Sequence, residues 1–241
     1  MKPKFPPISA ASPAELRSKL ASIEIRVVRR PARRTHASRE RYSAARMLAT
    51  LCESNLLVYP LVVQFRNGPD VALHMPTGSI GVECTDAIAH EWNEILDLRA
   101  RSYPDAIIFL PRLKPDARSL SDEELQAYAC GTKSGPPWLG DSVEKDWAQA
   151  ISYFAGKKLE KLRAGAYSDY SDNWLLIHDE WVMHPVSLKE HNAAISILVR
   201  DAASMFSMPC FSRVLVEGNK WLTNLTSESR EIIPIVDLWR D

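Results

Sequence analysis

The sequence contains no run of about 18 apolar residues, the length that a transmembrane helix needs. Its opening stretch, MKPKFPPISAASPAEL, lacks the apolar centre of a secretory signal peptide. The four cysteines, Cys52, Cys84, Cys130 and Cys210, are far apart and form no Cys-x-x-Cys pair. That usage suits a reducing compartment and argues against a structural zinc site. These absences predict a cytoplasmic protein without a membrane segment.

Three common catalytic or phosphate-binding patterns are also missing. The sequence has neither a GxxxxGK[ST] nor a GxGxxG phosphate loop, and no GxSxG nucleophile elbow. A catalytic serine–histidine–aspartate triad remains an alternative only because a chain of this length contains all three residue types. His178, Asp179 and His184 are residue types that zinc uses, but their spacing matches no strong zinc pattern.

The composition is that of a globular protein with a substantial core. Of the 241 residues, 46% are hydrophobic and seven are tryptophan. The length predicts one domain, or one domain with an insertion. We assign residues 1–37 to a basic N-terminal arm and residues 38–241 to a single domain. Prolines concentrate at positions 104, 111, 115, 136 and 137, so we expect an insertion at about residues 104–141.

The formal net charge of zero hides a strong asymmetry along the chain. Residues 1–46 contain twelve Lys and Arg against three Glu, a net charge of +9, so the remainder carries −9. The segment RVVRRPARR is typical of contact with a phosphate backbone. We therefore predict that nucleic acid binds at Arg29, Arg30, Arg33 and Arg34. A solvated arm that packs against the acidic remainder is the alternative.

Hydrophobic periodicity predicts alternating helices and strands. Helices are expected after Ser12, after Ser38, after Asp86, after Ser121, from Ser142 to about Ala164, and after Ser187, because each serine or aspartate is a good N-cap. Strands are expected at 56–65, 173–179, 211–216, 221–225 and 232–238. An α/β protein is the predicted fold class.

A β-hairpin is predicted between Gly68 and Thr85, in the sequence GPDVALHMPTGSIGVECT. Met75-Pro76-Thr77-Gly78 supplies the turn residues between two alternating arms. If the hairpin is centred on Pro76-Thr77, Asp70 lies opposite Glu83, and both side chains point to one face. The other face carries the apolar residues Val71, Leu73, Ile80, Val82 and Cys84.

Two carboxylates directly opposite each other destabilise a hairpin unless water or a cation lies between them. Two carboxylates together with waters and a substrate phosphate are the usual ligands of Mg²⁺. The pair Asp70 and Glu83 therefore indicates a metal site. The alternative is that Asp70 is only a turn residue and Glu83 a solvated strand residue.

The order helix, strand, two-stranded hairpin, helix, strand, together with Pro69-Asp70 and Val82-Glu83-Cys84-Thr85, resembles the PD-(D/E)xK nuclease superfamily. The resemblance covers about residues 38–180 and rests on short motifs. It implies a restriction-endonuclease-like α-β-β-β-α-β core, with a mixed sheet flanked by helices, plus the insertion and C-terminal additions. It also implies that Asp70 and Glu83 are catalytic and bind Mg²⁺ or Mn²⁺. Thr85 stands where the family has its catalytic lysine.

The predicted long helix offers a replacement for that lysine. Lys158 falls on the same helical stripe as the apolar residues Trp147, Ile151, Phe154 and Leu162. A lysine is rarely buried without a partner, and migration of the catalytic lysine to a neighbouring helix is known in the superfamily. We expect the ammonium of Lys158, or failing that of Lys161, to reach Glu83. The alternative is that Lys158 runs along the core and ends in water.

Supporting positions follow from the same resemblance. Glu40 or Glu53 would be the glutamate on the first helix that often supports the metal, and His74 shares a face with Asp70. The predicted function is a divalent-metal-dependent nuclease that hydrolyses phosphodiester bonds, with DNA as the expected substrate. One alternative is a non-catalytic relic of the fold that binds nucleic acid or protein. Another is an α/β protein with incidental acids. The sequence is compatible with a homodimer and with a monomer.

Overall fold

The computed structural model describes residues 6–25, 36–66, 68–116, 118–165, 170–182, 187–201, 206 and 210–239. Its helices are α1 (Pro13–Ala21), α2 (His36–Glu53), α3 (His90–Ser102), α4 (Asp122–Ala129), α5 (Ser142–Arg163) and α6 (Leu188–Asp201). Its strands are β1 (Ile8–Ala10), β2 (Leu61–Phe65), β3 (Val71–Met75), β4 (Gly78–Ile88), β5 (Asp172–Glu180), β6 (Arg213–Glu217), β7 (Trp221–Leu225) and β8 (Arg230–Pro234). None of these helices combines the length and the hydrophobicity needed to cross a bilayer.

The strands form one sheet in which spatial order follows chain order from β1 to β8. Strands β1 to β4 pair antiparallel, β5 and β6 pair parallel, and β6 to β8 pair antiparallel. The parallel pair is possible because α6 provides the crossover between β5 and β6. The predicted class, α/β with a mixed sheet, is confirmed.

The chain divides into two compact units. The first consists of Met1–Asp86, Ala155–Asp179 and Ser204–Asp241, and the second of Ala87–Phe154 and Glu180–Ala203. The first unit therefore contains the β3–β4 hairpin, α2 and the C-terminal part of α5. The predicted metal ligands and both candidate lysines lie in this unit.

The hairpin has the register predicted from its sequence. Val71 pairs with Val82, Leu73 with Ile80 and Met75 with Gly78, so Pro76 and Thr77 form a two-residue turn. Gly78 takes a φ of +139°, a conformation that favours glycine. The five residues of the predicted apolar face are all buried, namely Val71, Leu73, Ile80, Val82 and Cys84.

Helices α1 and α2 cover that apolar face of the first unit. Ala44, Leu48 and Leu51 recur at helical spacing on α2 and are fully buried against the hairpin residues. Leu16 and Leu20 of α1 join the same core. Each fully buried leucine contributes about 1.5–3 kcal/mol, so this face fixes the hairpin and leaves its reverse for polar side chains.

The second unit has small cores of its own. Ile95 of α3 packs with Tyr128 and Ala129 of α4. Ser121 is the N-cap of α4, as predicted, and it forms a reciprocal capping box with Glu124.

Several element boundaries differ from the sequence prediction. Strand β2 begins at Leu61, after Pro60, because proline has no N–H to donate to the ladder. Helix α2 begins at His36, two residues before the predicted cap. Strand β8 ends at Pro234, so the predicted strand at 232–238 is placed too late. Strand β1 is absent from the prediction, since three residues carry no periodic signal.

The prediction that Asp86 caps a helix is wrong. Strand β4 continues through Asp86 to Ile88, and α3 begins at His90. The carboxylate of Asp86 forms a 3.0 Å ion pair with Arg39 instead, and its side chain is only 8% exposed. A buried ion pair with α2 thus holds Asp86 in the strand.

Candidate functional site

Two neighbouring strand positions carry the predicted carboxylates. Extending the hairpin register by one step beyond the Val71–Val82 pair places Asp70 opposite Glu83. The Asp70 carboxylate accepts a 2.9 Å hydrogen bond from the backbone N–H of Cys84. This bond holds Asp70 against β4 immediately beside Glu83. Both acids therefore lie at the end of the hairpin that is remote from its turn.

The third member of the site comes from α5. Lys158 Nζ donates to Glu83 Oε1 at 2.6 Å, which is the contact that the helical stripe predicts. The Lys158 and Glu83 side chains are 17% and 12% exposed. Ala155, Leu159 and Leu162 are buried beside it, so the packing of α5 fixes where the ammonium lies. Such a partly buried charge is stable because its partner offsets the loss of hydration.

Glu40 belongs to the same electrostatic neighbourhood. Burial is the main cause that raises the pKa of the Cys84 thiol well above its ordinary value, and the carboxylates of Asp70, Glu40 and Glu83 raise it further. The Lys158 ammonium acts in the opposite direction. All four charged groups therefore influence one thiol, which itself lies on the apolar face. We call Asp70, Glu83 and Lys158 the hairpin site.

Of the remaining candidates, Glu53 and His74 lie apart from the hairpin site. Glu53 is thirteen residues from Glu40 on α2, about 20 Å along the helix, and pairs with Arg17. His74 Nδ1 contacts Ser79 Oγ at 2.8 Å, four strand residues or about 13 Å from Asp70. Lys161 is exposed, unlike Lys158. Thr85 lies in β4 on the same face as Glu83.

The predicted nucleic-acid contacts of the arm cannot be placed beside this site. Arg29, Arg30, Arg33 and Arg34 lie outside the described residues. Strand β1 and helix α1 both fall within residues 1–37, and β1 pairs with β2.

The donor set of the hairpin site fits a hard divalent ion. Within the described ranges, no three His, Cys, Asp or Glu side chains are placed to hold a metal ion together. Mg²⁺ does not require such a cage, because it keeps several waters and uses one or two carboxylates together with substrate phosphate oxygens. Asp70 and Glu83 supply those two carboxylates, and the Lys158 ammonium contacts Glu83 beside them.

The sequence did not predict a second cluster of charged side chains. Arg46 of α2 forms ion pairs with Glu217 and, at 3.3 Å, with Asp237. Glu217 is fully buried and also contacts Ser43 Oγ at 2.7 Å and His178 Nδ1 at 2.5 Å. We call these five residues the Arg46–Glu217 cluster. They come from four separate segments of the chain, so no sequence spacing predicts the cluster. His178, a residue of a type that zinc uses, contacts a carboxylate here.

A third feature was also missed, a contact between Arg66 and Tyr170. Arg66 Nη1 donates to Tyr170 Oη at 2.5 Å. The two residues are 104 positions apart, and the pair has no sequence signature. The one local signal is Gly81, a glycine inside a strand, which often marks the close approach of another group.

No protein-family model, curated protein or solved structure matches this chain.

Proposed function

We propose that this chain is a divalent-metal-dependent nuclease with a core of the restriction-endonuclease type, acting on the phosphodiester bonds of DNA. The observation that carries the proposal is the 2.6 Å contact between Lys158 and Glu83 beside the strand-bound Asp70. It joins the two acids of the hairpin motifs on which the nuclease resemblance depends to a lysine from α5. The order α2-β2-β3-β4, followed later by α5 and β5, supports the same core.

Asp70 and Glu83 would hold Mg²⁺ or Mn²⁺, which lowers the pKa of a bound water and neutralises charge on the scissile phosphate. The hydrogen bond from the Cys84 N–H fixes the direction of the Asp70 carboxylate. The protein therefore positions its acids before any substrate arrives.

Lys158 would supply the positive charge that Thr85 lacks. An ammonium has three N–H donors, and Glu83 takes one of them. The others can donate to a phosphate oxygen whose negative charge grows in the transition state. Because α5 holds the lysine stem among buried apolar residues, the donor needs little reorganisation during the reaction.

A non-catalytic binding module of the same fold is the second candidate. Two observations favour it, namely the neutral Thr85 and the ion pair that already compensates Glu83. In that case the Lys158–Glu83 pair is structural, and Asp70 and Glu83 bind no metal. The two candidates differ in metal binding even before any cleavage is measured.

The test is to incubate the purified chain with plasmid, single-stranded DNA and RNA, in Mg²⁺, in Mn²⁺ and in chelator. We expect cleavage of DNA in either metal, none in chelator, and none by Asp70→Asn or Glu83→Gln. Glu53→Gln is the matched control, since it removes a glutamate remote from the hairpin site. Cleavage that persists in chelator or in Asp70→Asn would contradict the proposal. Absent cleavage together with absent metal binding would favour the binding module.

A further inference from the structure

The face of the hairpin that carries Asp70 and Glu83 continues past them to a position without a side chain. Gly81 pairs with Ala72 and lies two residues from Glu83, about 7 Å along β4 on the same face. A methyl group at Gly81 would lie 2.9 Å from Pro69 Cγ and 3.0 Å from Cγ and Cδ2 of Tyr170. Glycine is therefore required here because the Tyr170 ring packs directly on the strand.

Hydrogen bonds between Ser171 and Ser79 hold the segment that carries this ring. Ser171 N donates to Ser79 O at 3.1 Å, and Ser171 Oγ donates to the same oxygen at 2.7 Å. In return, Ser79 N donates to Ser171 Oγ at 3.1 Å. Three bonds to one strand residue fix the position of Tyr170 relative to the hairpin.

Tyr170 in turn fixes the direction of an exposed arginine. Arg66 N donates to Asp70 O at 2.8 Å, which ties the backbone of Arg66 to that of the proposed metal ligand. The guanidinium donates to Tyr170 Oη at 2.5 Å. In the part of the chain that the structure describes, no carboxylate forms an ion pair with Arg66. Its charge is thus oriented by a neutral phenol and not cancelled.

A fixed, uncancelled guanidinium is a recognition group for phosphate. Arg presents five N–H donors in a planar fork, of which Tyr170 takes one, and the rest match the geometry of a phosphate. The neighbouring hairpin site carries the carboxylates of Asp70 and Glu83, which repel an incoming polyanion. A positive charge held next to them lowers that repulsion without weakening the acids themselves.

We propose that Arg66, oriented by Tyr170 on Gly81, binds a backbone phosphate of the nucleic acid close to the scissile bond. The proximity follows from the backbone bond between Arg66 and Asp70 and from the position of Gly81, two residues from Glu83 on the same face of β4. The inference rests on the proposed function. It makes the substrate a polynucleotide that extends past the cleaved bond, and Tyr170 acts as a positioning residue.

The test measures binding, so it does not depend on cleavage. The affinity of the full chain for a short oligonucleotide, single-stranded and duplex, is measured in chelator between about 50 and 200 mM salt. For Arg66→Ala, we expect the slope of log affinity against log salt to fall by about 0.7 for the single strand or 0.9 for the duplex, the value of one phosphate contact. Arg66→Lys should restore the slope, because it restores the charge.

Two further variants separate this role from a structural one. Arg17→Ala removes an exposed arginine that pairs with Glu53, and it should leave the salt slope unchanged. Arg66→Gln keeps a donor for Tyr170 and loses the charge, so it should flatten the slope even if Arg66→Ala disturbs the fold. Tyr170→Phe should keep the slope and raise the KM of cleavage, because the charge remains but its orientation is lost.

The outcomes distinguish this inference from the proposed function. A flattened slope in Arg66→Gln supports the phosphate contact, including in a protein that proves not to cleave. An unchanged slope in both Arg66→Ala and Arg66→Gln overturns it, even if cleavage depends on the hairpin site. Absent binding of any nucleic acid by the unaltered chain overturns both proposals together.

Discussion

The hairpin site and the Arg46–Glu217 cluster lie in the same unit, and they differ in how many contacts hold their central ion pair. In the cluster, Arg46 contacts two carboxylates and the backbone oxygens of Gly218 and Asn219, while Ser43 and His178 contact Glu217. In the hairpin site, Lys158 contacts Glu83. The contacts of the cluster stabilise the fold, whereas the hairpin site is more exposed and leaves its carboxylates within reach of a cation.

The two regions also differ in how deeply their ion pairs are buried. Arg46 and Glu217 side chains are 2% and 0% exposed, while Lys158 and Glu83 keep 17% and 12% of their surface. Water cannot replace a lost partner in the cluster, but it reaches the hairpin site. Substitutions should therefore change mainly stability in the cluster and mainly metal binding or chemistry in the hairpin site.

The largest expected effect is on the cluster. Glu217→Gln keeps the side-chain shape but leaves the buried Arg46 charge without its main partner, so it should lower the free energy of unfolding by about 3–5 kcal/mol. Denaturant unfolding of the variant in chelator measures this. Asp70→Asn is the matched control and should be close to neutral, because asparagine can still accept the hydrogen bond from the Cys84 N–H and no longer repels Glu83. A loss of similar size in both variants would remove the distinction between the two regions.

The next effect concerns metal. A ligand that binds only the folded protein at one hundred times its Kd adds about 2.7 kcal/mol to the free energy of unfolding. We expect Mn²⁺ to raise the Tm of the unaltered chain and of Glu217→Gln, and to leave that of Asp70→Asn unchanged. The Tm shift on adding Mn²⁺ to each variant is the measurement. An equal shift in Asp70→Asn would place the metal elsewhere.

A smaller effect compares two thiols. Burial, followed by the nearby carboxylates, raises the pKa of Cys84, and hydrogen bonds with Thr132 lower the pKa of Cys130. The thiolate is the reactive form, so Cys130 should react with a maleimide-type reagent well before Cys84 near pH 8. Mass spectrometry of the native chain measures the order, and denaturant should make the two thiols comparable. Early labelling of native Cys84 would contradict its burial in the apolar face of the hairpin.

Much of the hairpin site could be predicted from the sequence because its determinants are local. A two-residue turn and strict alternation set the register that places Asp70 opposite Glu83. Helical spacing on α5 identified Lys158 by its position in an apolar stripe. Both periodicities are properties of short segments, and tertiary packing preserved them.

The features that the sequence did not predict depend on contacts between distant segments. The Arg46–Glu217 cluster joins α2 to β5, β6 and the C-terminal residues, and Arg66 meets Tyr170 across 104 positions. The end of β4 was misplaced for the same reason. Asp86 has good N-cap chemistry, but its ion pair with Arg39 on α2 outweighed that local preference.

The measurement that tests the central claim most directly is the single-turnover cleavage rate of Lys158→Met against that of Lys161→Met, in saturating Mn²⁺. Methionine keeps most of the apolar stem and removes the charge, and matched unfolding curves would verify that both variants fold. The contact with Glu83 predicts at least a 100-fold loss for Lys158→Met, about 2.7 kcal/mol of transition-state stabilisation, and little change for Lys161→Met. Cleavage by Lys158→Met at the rate of the unaltered chain would contradict the account.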